Sequence, residues 1–100
     1  MTRDTRDEIL KEAIDYYGEF TQHSVAQEEC GELIQAISKW LRAVKPTDQL
    51  NARNLIRDEM ADVYVMLEQL KLMHSITDKE LNQQIDYKLV RLRGRMDEGI

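Results

Sequence analysis

Apolar residues recur every three or four positions along the whole chain, and Val, Ile and Thr nowhere alternate with polar residues as a strand requires. From about Asp4 to Tyr17, the residues Ile9, Leu10, Ala13, Ile14 and Tyr17 share one helical face, and Gly18 marks a stop or bend. A second helix is predicted from Thr21 or Ser24, either of which can cap it, to near Val44. The segment KPTDQLN, which holds the single proline, Pro46, is predicted as a loop. A third helix is predicted from the Asn51–Asn54 region to near His74. Thr77, three residues before Glu80, matches a capping box and opens a fourth helix that runs to about Arg95. The short connections predict neighbouring antiparallel helices. The expected fold is all-α: a four-helix protomer forming a single domain over residues 1–100.

Two of these helices carry acids next to their apolar faces. With Glu29 set at zero on a helical wheel, Ala26, Cys30, Leu33, Ile34, Ala36, Ile37, Trp40, Leu41 and Val44 span roughly −20° to 140°. Glu29 lies within that arc near one edge, and beyond that edge lie Glu32, about 60° from Glu29, and Glu28, about 100° from it. The third helix repeats the arrangement. Leu55, Ile56, Met60, Val63, Met66, Leu67, Leu70 and Met73 surround Glu59, with Asp62 about 60° to one side and Asp58 facing water. Packing the two faces together gathers Glu29, Glu32, Glu59 and Asp62.

Four carboxylates in a partly dry site repel one another, and their pKa values rise unless a positive group joins them. A divalent cation provides that charge. An all-oxygen ligand set favours a hard ion, Mg²⁺ or else Mn²⁺, over zinc, and the lack of Glu-x-x-His pairs argues against iron. One acid pair at i,i+3 ordinarily marks a solvated face. Two pairs, each in or beside an apolar arc, carry the metal reading. The competing reading relieves Glu29 with Lys39 or with an arginine of the fourth helix.

Composition narrows the function classes. Of 100 residues, 33% are charged, and the formal net charge of −5 argues against general nucleic-acid binding. No apolar run reaches the roughly 18 residues of a membrane span, and MTRDTRDEIL has no signal-peptide core. The expectation is a soluble, cytoplasmic protein. A chain this short has a thin core, which favours oligomerisation. Ala61, Val65 and Leu72, opposite Glu59 on the third helix, predict a protomer–protomer interface.

Leu81, Ile85, Leu89, Leu92 and Met96 form the apolar stripe of the fourth helix, and Lys88, Arg91 and Arg95 line one flank, with Gln84 beside them. Cations beside an acidic metal site suit a phosphorylated ligand; the bland alternative is a solvated basic face near a helix C-terminus. Trp40 shares the Glu29 side but lies about 16 Å along the axis, as a core, interface or base-stacking residue. Cys30, alone, excludes an intramolecular disulfide and is expected as a buried, inert thiol. With His23 and His74 it cannot complete a four-ligand zinc site. His23 is expected at the surface and His74 packed near its helix end, neither as a metal ligand.

The pattern Glu28-Glu29-Cys30-Gly31-Glu32, a spacer, then Glu59-Met60-Ala61-Asp62 resembles the all-α nucleoside triphosphate pyrophosphohydrolases of the MazG-like group. The stretches EECGELIQAISKWLRA and RDEMADVYVMLEQL extend the resemblance over about Tyr17 to Leu70, with the fourth helix a looser match. The resemblance implies Mg²⁺ ligation by Glu29, Glu32, Glu59 and Asp62, and hydrolysis of a nucleoside triphosphate to monophosphate and pyrophosphate in nucleotide house-cleaning. It also implies a homodimer or homotetramer, with phosphate contacts at Lys39 and on the basic flank, Lys88 matching best. Leu92 stands where many relatives have Asn. Glu28 and Glu29 are both candidates for the general base. A phosphoribosyl-ATP pyrophosphohydrolase, a dUTP- or dCTP-specific relative, and a non-catalytic helical interaction module are the alternatives.

Overall fold

The computed structural model describes residues 1–99. It contains four helices in sequence: α1 (Arg3–Tyr17), α2 (Glu19–Arg42), α3 (Pro46–Met73) and α4 (Asp78–Asp97), with no strand among the described residues. None of these helices is long and apolar enough to cross a membrane.

The helix ends follow local chemistry. The Thr2 hydroxyl accepts the Thr5 N–H to start α1, and the Thr77 hydroxyl accepts the Glu80 N–H at 3.1 Å to start α4. Gly18 alone separates α1 from α2. Its N–H closes α1 on the Ile14 carbonyl, and its own carbonyl accepts the first α2 bond from Gln22. Its φ of 89° and ψ of 152° lie where a side chain is strained, so glycine is required at this joint. The α2 start predicted at Thr21 or Ser24 is thus corrected to Glu19, because a backbone joint replaces a side-chain cap.

The predicted loop KPTDQLN is also corrected. Pro46 is the first residue of α3, a position where its missing N–H removes no helical bond and its fixed φ is already suitable. Only Ala43–Lys45 link α2 to α3. At the other end of α3, Ser75 takes φ 55°, and the Ile76 N–H bonds back to the Lys71 carbonyl at 2.9 Å. This is a Schellman-type stop in which serine stands where glycine is favoured.

The principal contact is between α2 and α3, with α1 against both. Ala26 and Ala36 of α2 and Ala52 and Met66 of α3 are buried, as is Leu10 of α1. Small alanines let the two backbones approach closely. Gln22 and Gln69 are buried in the same seam and satisfy each other through a 2.7 Å side-chain hydrogen bond. Ala61 and Val65 share a groove with Ile9 and Leu10 of α1, and Leu72 lies beside Ile14, so the second apolar side of α3 looks toward α1.

Much of the predicted apolar arc stays uncovered. Ile34, Ile37, Trp40, Leu41 and Val44 of α2 and Met60 and Leu67 of α3 are exposed. Cys30 is exposed as well, which corrects the expected buried thiol; the α2–α3 seam is narrow and the Cys30 edge of the arc lies beyond it. No Cα of α4 comes within 8 Å of one in another helix, and α4 buries no residue. Its stripe, Leu81, Ile85, Leu89, Leu92 and Met96, is exposed throughout. The root of α4 is nevertheless tied down. Lys71, largely buried, donates to both Glu68 and Asp78, and Arg3 reaches Asp78 at 3.1 Å.

Candidate metal centre

The α2–α3 seam positions the acids. Glu29 and Glu32 are one turn apart in mid-α2, and Glu59 and Asp62 one turn apart in mid-α3. Each of the four offers a carboxylate oxygen, and these oxygens all lie within 4.8 Å of one another. Glu29 and Glu59 are half-buried at the seam, whereas Glu32 and Asp62 sit at its exposed lip. The cluster is therefore wet on one side and dry on the other, open to an incoming ligand.

Its electrostatics are unrelieved. Burial first, then the charges of Asp62 and Glu32, push the Glu29 carboxyl from 4.5 up to about 7. Burial first, then contact with Glu32 and the charges of Glu32, Asp62 and Asp58, also raises Glu59 above its ordinary value. One oxygen of Glu29 and one of Glu59 are buried without a hydrogen-bond partner. Buried acceptors are normally satisfied, so two orphaned oxygens in one site call for a positive partner. None of the ion pairs among the described residues involves these four acids; Arg57 pairs with Asp58 instead. Relief by Lys39 or by an α4 arginine, the bland alternative, is not what the side chains do. The residues fit a hard divalent cation: four carboxylates on two rigid helices, with solvent at the lip to complete the coordination.

The remaining candidate residues are not brought to the cluster within the chain. Glu28 is exposed, one position from Glu29, and contributes no oxygen to the group. Lys39 and Trp40 are exposed farther along α2. Lys88, Arg91 and Arg95 are exposed on the unpacked α4, where Arg91 lies over the Tyr87 ring at 6.0 Å. A concavity of about 930 Å³ lies away from the acids, between α1 and α3. It is lined by Ile9, Leu10, Tyr64 and Val65 together with Arg3, Arg6, Asp7 and Glu68, none of them a member of the acid cluster.

One polar contact runs against the sequence reading. His23, expected at the surface, is half-buried, and His74, expected to pack near its helix end, is exposed; their Nε2 atoms meet 2.7 Å apart. Their separation of 51 residues hides this from any local pattern.

No family model, curated protein or solved structure matches the chain.

Proposed function

We propose that the protein is a Mg²⁺-dependent nucleoside triphosphate pyrophosphohydrolase of the MazG-like type, acting in cytoplasmic nucleotide house-cleaning. The observation that carries this reading is the convergence of Glu29, Glu32, Glu59 and Asp62, with two buried oxygens left unpartnered. These are the four residues on which the EExxE and ExxD resemblance places the ligands. The pairings support an antiparallel α2–α3 hairpin: Gln22, early in α2, bonds Gln69, late in α3, while the acids meet mid-helix.

Glu29, Glu32, Glu59 and Asp62 would hold Mg²⁺, with Mn²⁺ as a substitute. Bound there, the ion would supply charge neutralisation for the phosphates and a lowered pKa for an attacking water. The chain's own residues supply the rest. Glu32 and Asp62 at the lip orient the polyphosphate side, and Glu29 and Glu59 hold the dry side fixed. Glu28, exposed one residue from Glu29, and Glu29 itself once ionised are the candidates to take a proton from water. Attack at the α-phosphorus releases pyrophosphate and leaves the nucleoside monophosphate.

Lys88, Arg91 and Arg95 are the proposed phosphate contacts on α4, with Lys39 on α2, and Trp40 is the candidate to stack on a base. The exposed stripes of α2 and α4 favour a homodimer or homotetramer, in which burial of α4 would set its basic flank against a neighbouring surface. The test is pyrophosphate release from a panel of canonical and modified nucleoside triphosphates, with and without Mg²⁺. Activity is expected only with Mg²⁺ and only with intact acids. Full turnover by helical Glu29→Gln or Glu59→Gln would overturn the reading.

A further inference from the structure

A second cluster of ligating side chains lies outside the acid site. His23 is in the second turn of α2, and His74 is the C-cap of α3. Their rings stand at 89° with centroids 5.0 Å apart, and the two Nε2 atoms face each other at 2.7 Å. His23 Nδ1 lies 2.6 Å from the Glu19 carbonyl oxygen. A carbonyl only accepts, so Nδ1 carries the proton and His23 Nε2 presents a lone pair. In the neutral pair, His74 Nε2–H therefore donates to it.

We propose that His23 and His74 form a two-histidine site for a borderline transition-metal dication such as Zn²⁺, clamping the start of α2 to the end of α3. A ligating histidine ordinarily donates its other ring N–H to a carbonyl or carboxylate, which fixes the tautomer and the ring. The Glu19 carbonyl already does this for His23. His74 is placed by the backbone: the helix stop at Ser75 and the Ile76 to Lys71 bond hold its Cα at the seam. Imidazole nitrogens suit Zn²⁺, whereas the all-carboxylate cluster suits a hard ion, so the same two helices carry two sites of opposite preference.

The geometry requires a small adjustment. Zn–N bonds of about 2.0–2.1 Å at a tetrahedral angle put two nitrogens about 3.3 Å apart, so the pair opens by about 0.6 Å. His74 is exposed and can swing; His23 is held. The His74 proton moves through solvent from Nε2 to Nδ1, freeing the second lone pair with no net proton release. Water completes the coordination. His23 lies six residues, about 9 Å of helix rise, from Glu29, so the clamp is separate from the acids and independent of the proposed hydrolase activity.

The experiment is a Zn²⁺ titration of the full chain with excess Mg²⁺ present to occupy the acids, followed by ¹H–¹⁵N correlation of the imidazole rings. One equivalent of Zn²⁺ is expected to displace the Nε2 resonances of both histidines. His23→Gln and His74→Gln, each checked for helix content, are expected to weaken Zn²⁺ binding by more than about tenfold, with the Mg²⁺ response retained. Displacement of one ring only, of neither, or unchanged Zn²⁺ affinity in both variants would overturn the proposal. The ring measurement on the unmodified chain decides the matter even if a variant fails to fold.

Discussion

Glu29 of α2 and Glu59 of α3 each turn a carboxylate into the seam between their helices, and each leaves one oxygen buried and unpartnered there. Two like charges share a half-dry space with two more at its lip, and no cation among the described residues pairs with them. The seam bears a standing electrostatic cost in the metal-free protein.

That cost has a direction that mutation can read. Without metal, Glu59→Gln removes one charge from the repulsive group and is expected to raise the thermal midpoint. With Mg²⁺ the order reverses: the unmodified protein gains stability by binding, and the variant gains little. Thermal unfolding in EDTA and in millimolar Mg²⁺ measures both. A midpoint that ignores Mg²⁺ in the unmodified protein removes the cation from the site.

The pH dependence follows from Glu29. Its carboxyl titrates at about 7 in the folded chain against an ordinary 4.5. The folded state therefore binds this proton more tightly than the unfolded state. The resulting stabilisation is complete below about 4.5 and is lost as pH rises to about 7. Urea unfolding in EDTA should show this group's contribution falling across that window, and Glu29→Gln should flatten it. Mg²⁺ competes with the same proton, so its affinity should drop as pH falls below about 7, with protons released on binding. Equal slopes in the unmodified protein and Glu29→Gln would contradict the assignment.

The helix stops give two opposite expectations. Ser75 sits at φ 55°, and Ser75→Gly should stabilise by about 1 kcal/mol by relieving a left-handed residue. Gly18 sits at φ 89°, and Gly18→Ala should cost about 1 kcal/mol or more at the α1–α2 joint. Denaturant midpoints of the two variants, compared with the unmodified chain, check both signs.

Gln22 and Gln69 give a coupling test. Gln69→Leu leaves the Gln22 amide buried without its partner and should cost about 1–3 kcal/mol. Replacing both by Leu should recover most of that loss, because an apolar pair leaves nothing unsatisfied. A double variant as unstable as the sum of the single ones would show that the hydrogen bond is not what joins them.

The uncovered faces predict association. Ile34, Leu41 and Val44 on α2 and the Leu81–Met96 stripe on α4 are exposed apolar surface of the kind that copies of the chain would bury against one another. Light scattering should give a mass above 11.8 kDa per particle, and Leu41→Glu should lower it. A pure monomer at micromolar concentration would count against the assembly.

The acid site was legible because helical spacing alone sets the angles of Glu29, Glu32, Glu59 and Asp62 relative to apolar neighbours. Two independent helices gave the same device, and the seam joins them. The Thr77 cap and the Gly18 break were readable for the same reason, since each depends on adjacent residues. The loop around Pro46 was misread because proline signals a break in general yet is favoured in a first helical turn. Cys30 was misread because an apolar arc tells which residues prefer burial, and only the partner helix decides how wide a strip is covered. The His23–His74 contact and the Lys71–Asp78 tie depend on how the helices stack, which no local period encodes.

The Lys71–Asp78 contact, joined by Arg3, makes the first turn of α4 a fixed footing on α1 and α3. Everything beyond it is a cantilever some four and a half turns long, by the usual 3.6 residues per turn. Force or neighbouring mass acting at Met96 is levered back onto Asp78 and its partners Lys71 and Arg3. The ionic strength at which that footing loosens therefore governs how the whole arm, with Lys88, Arg91, Arg93 and Arg95, is presented.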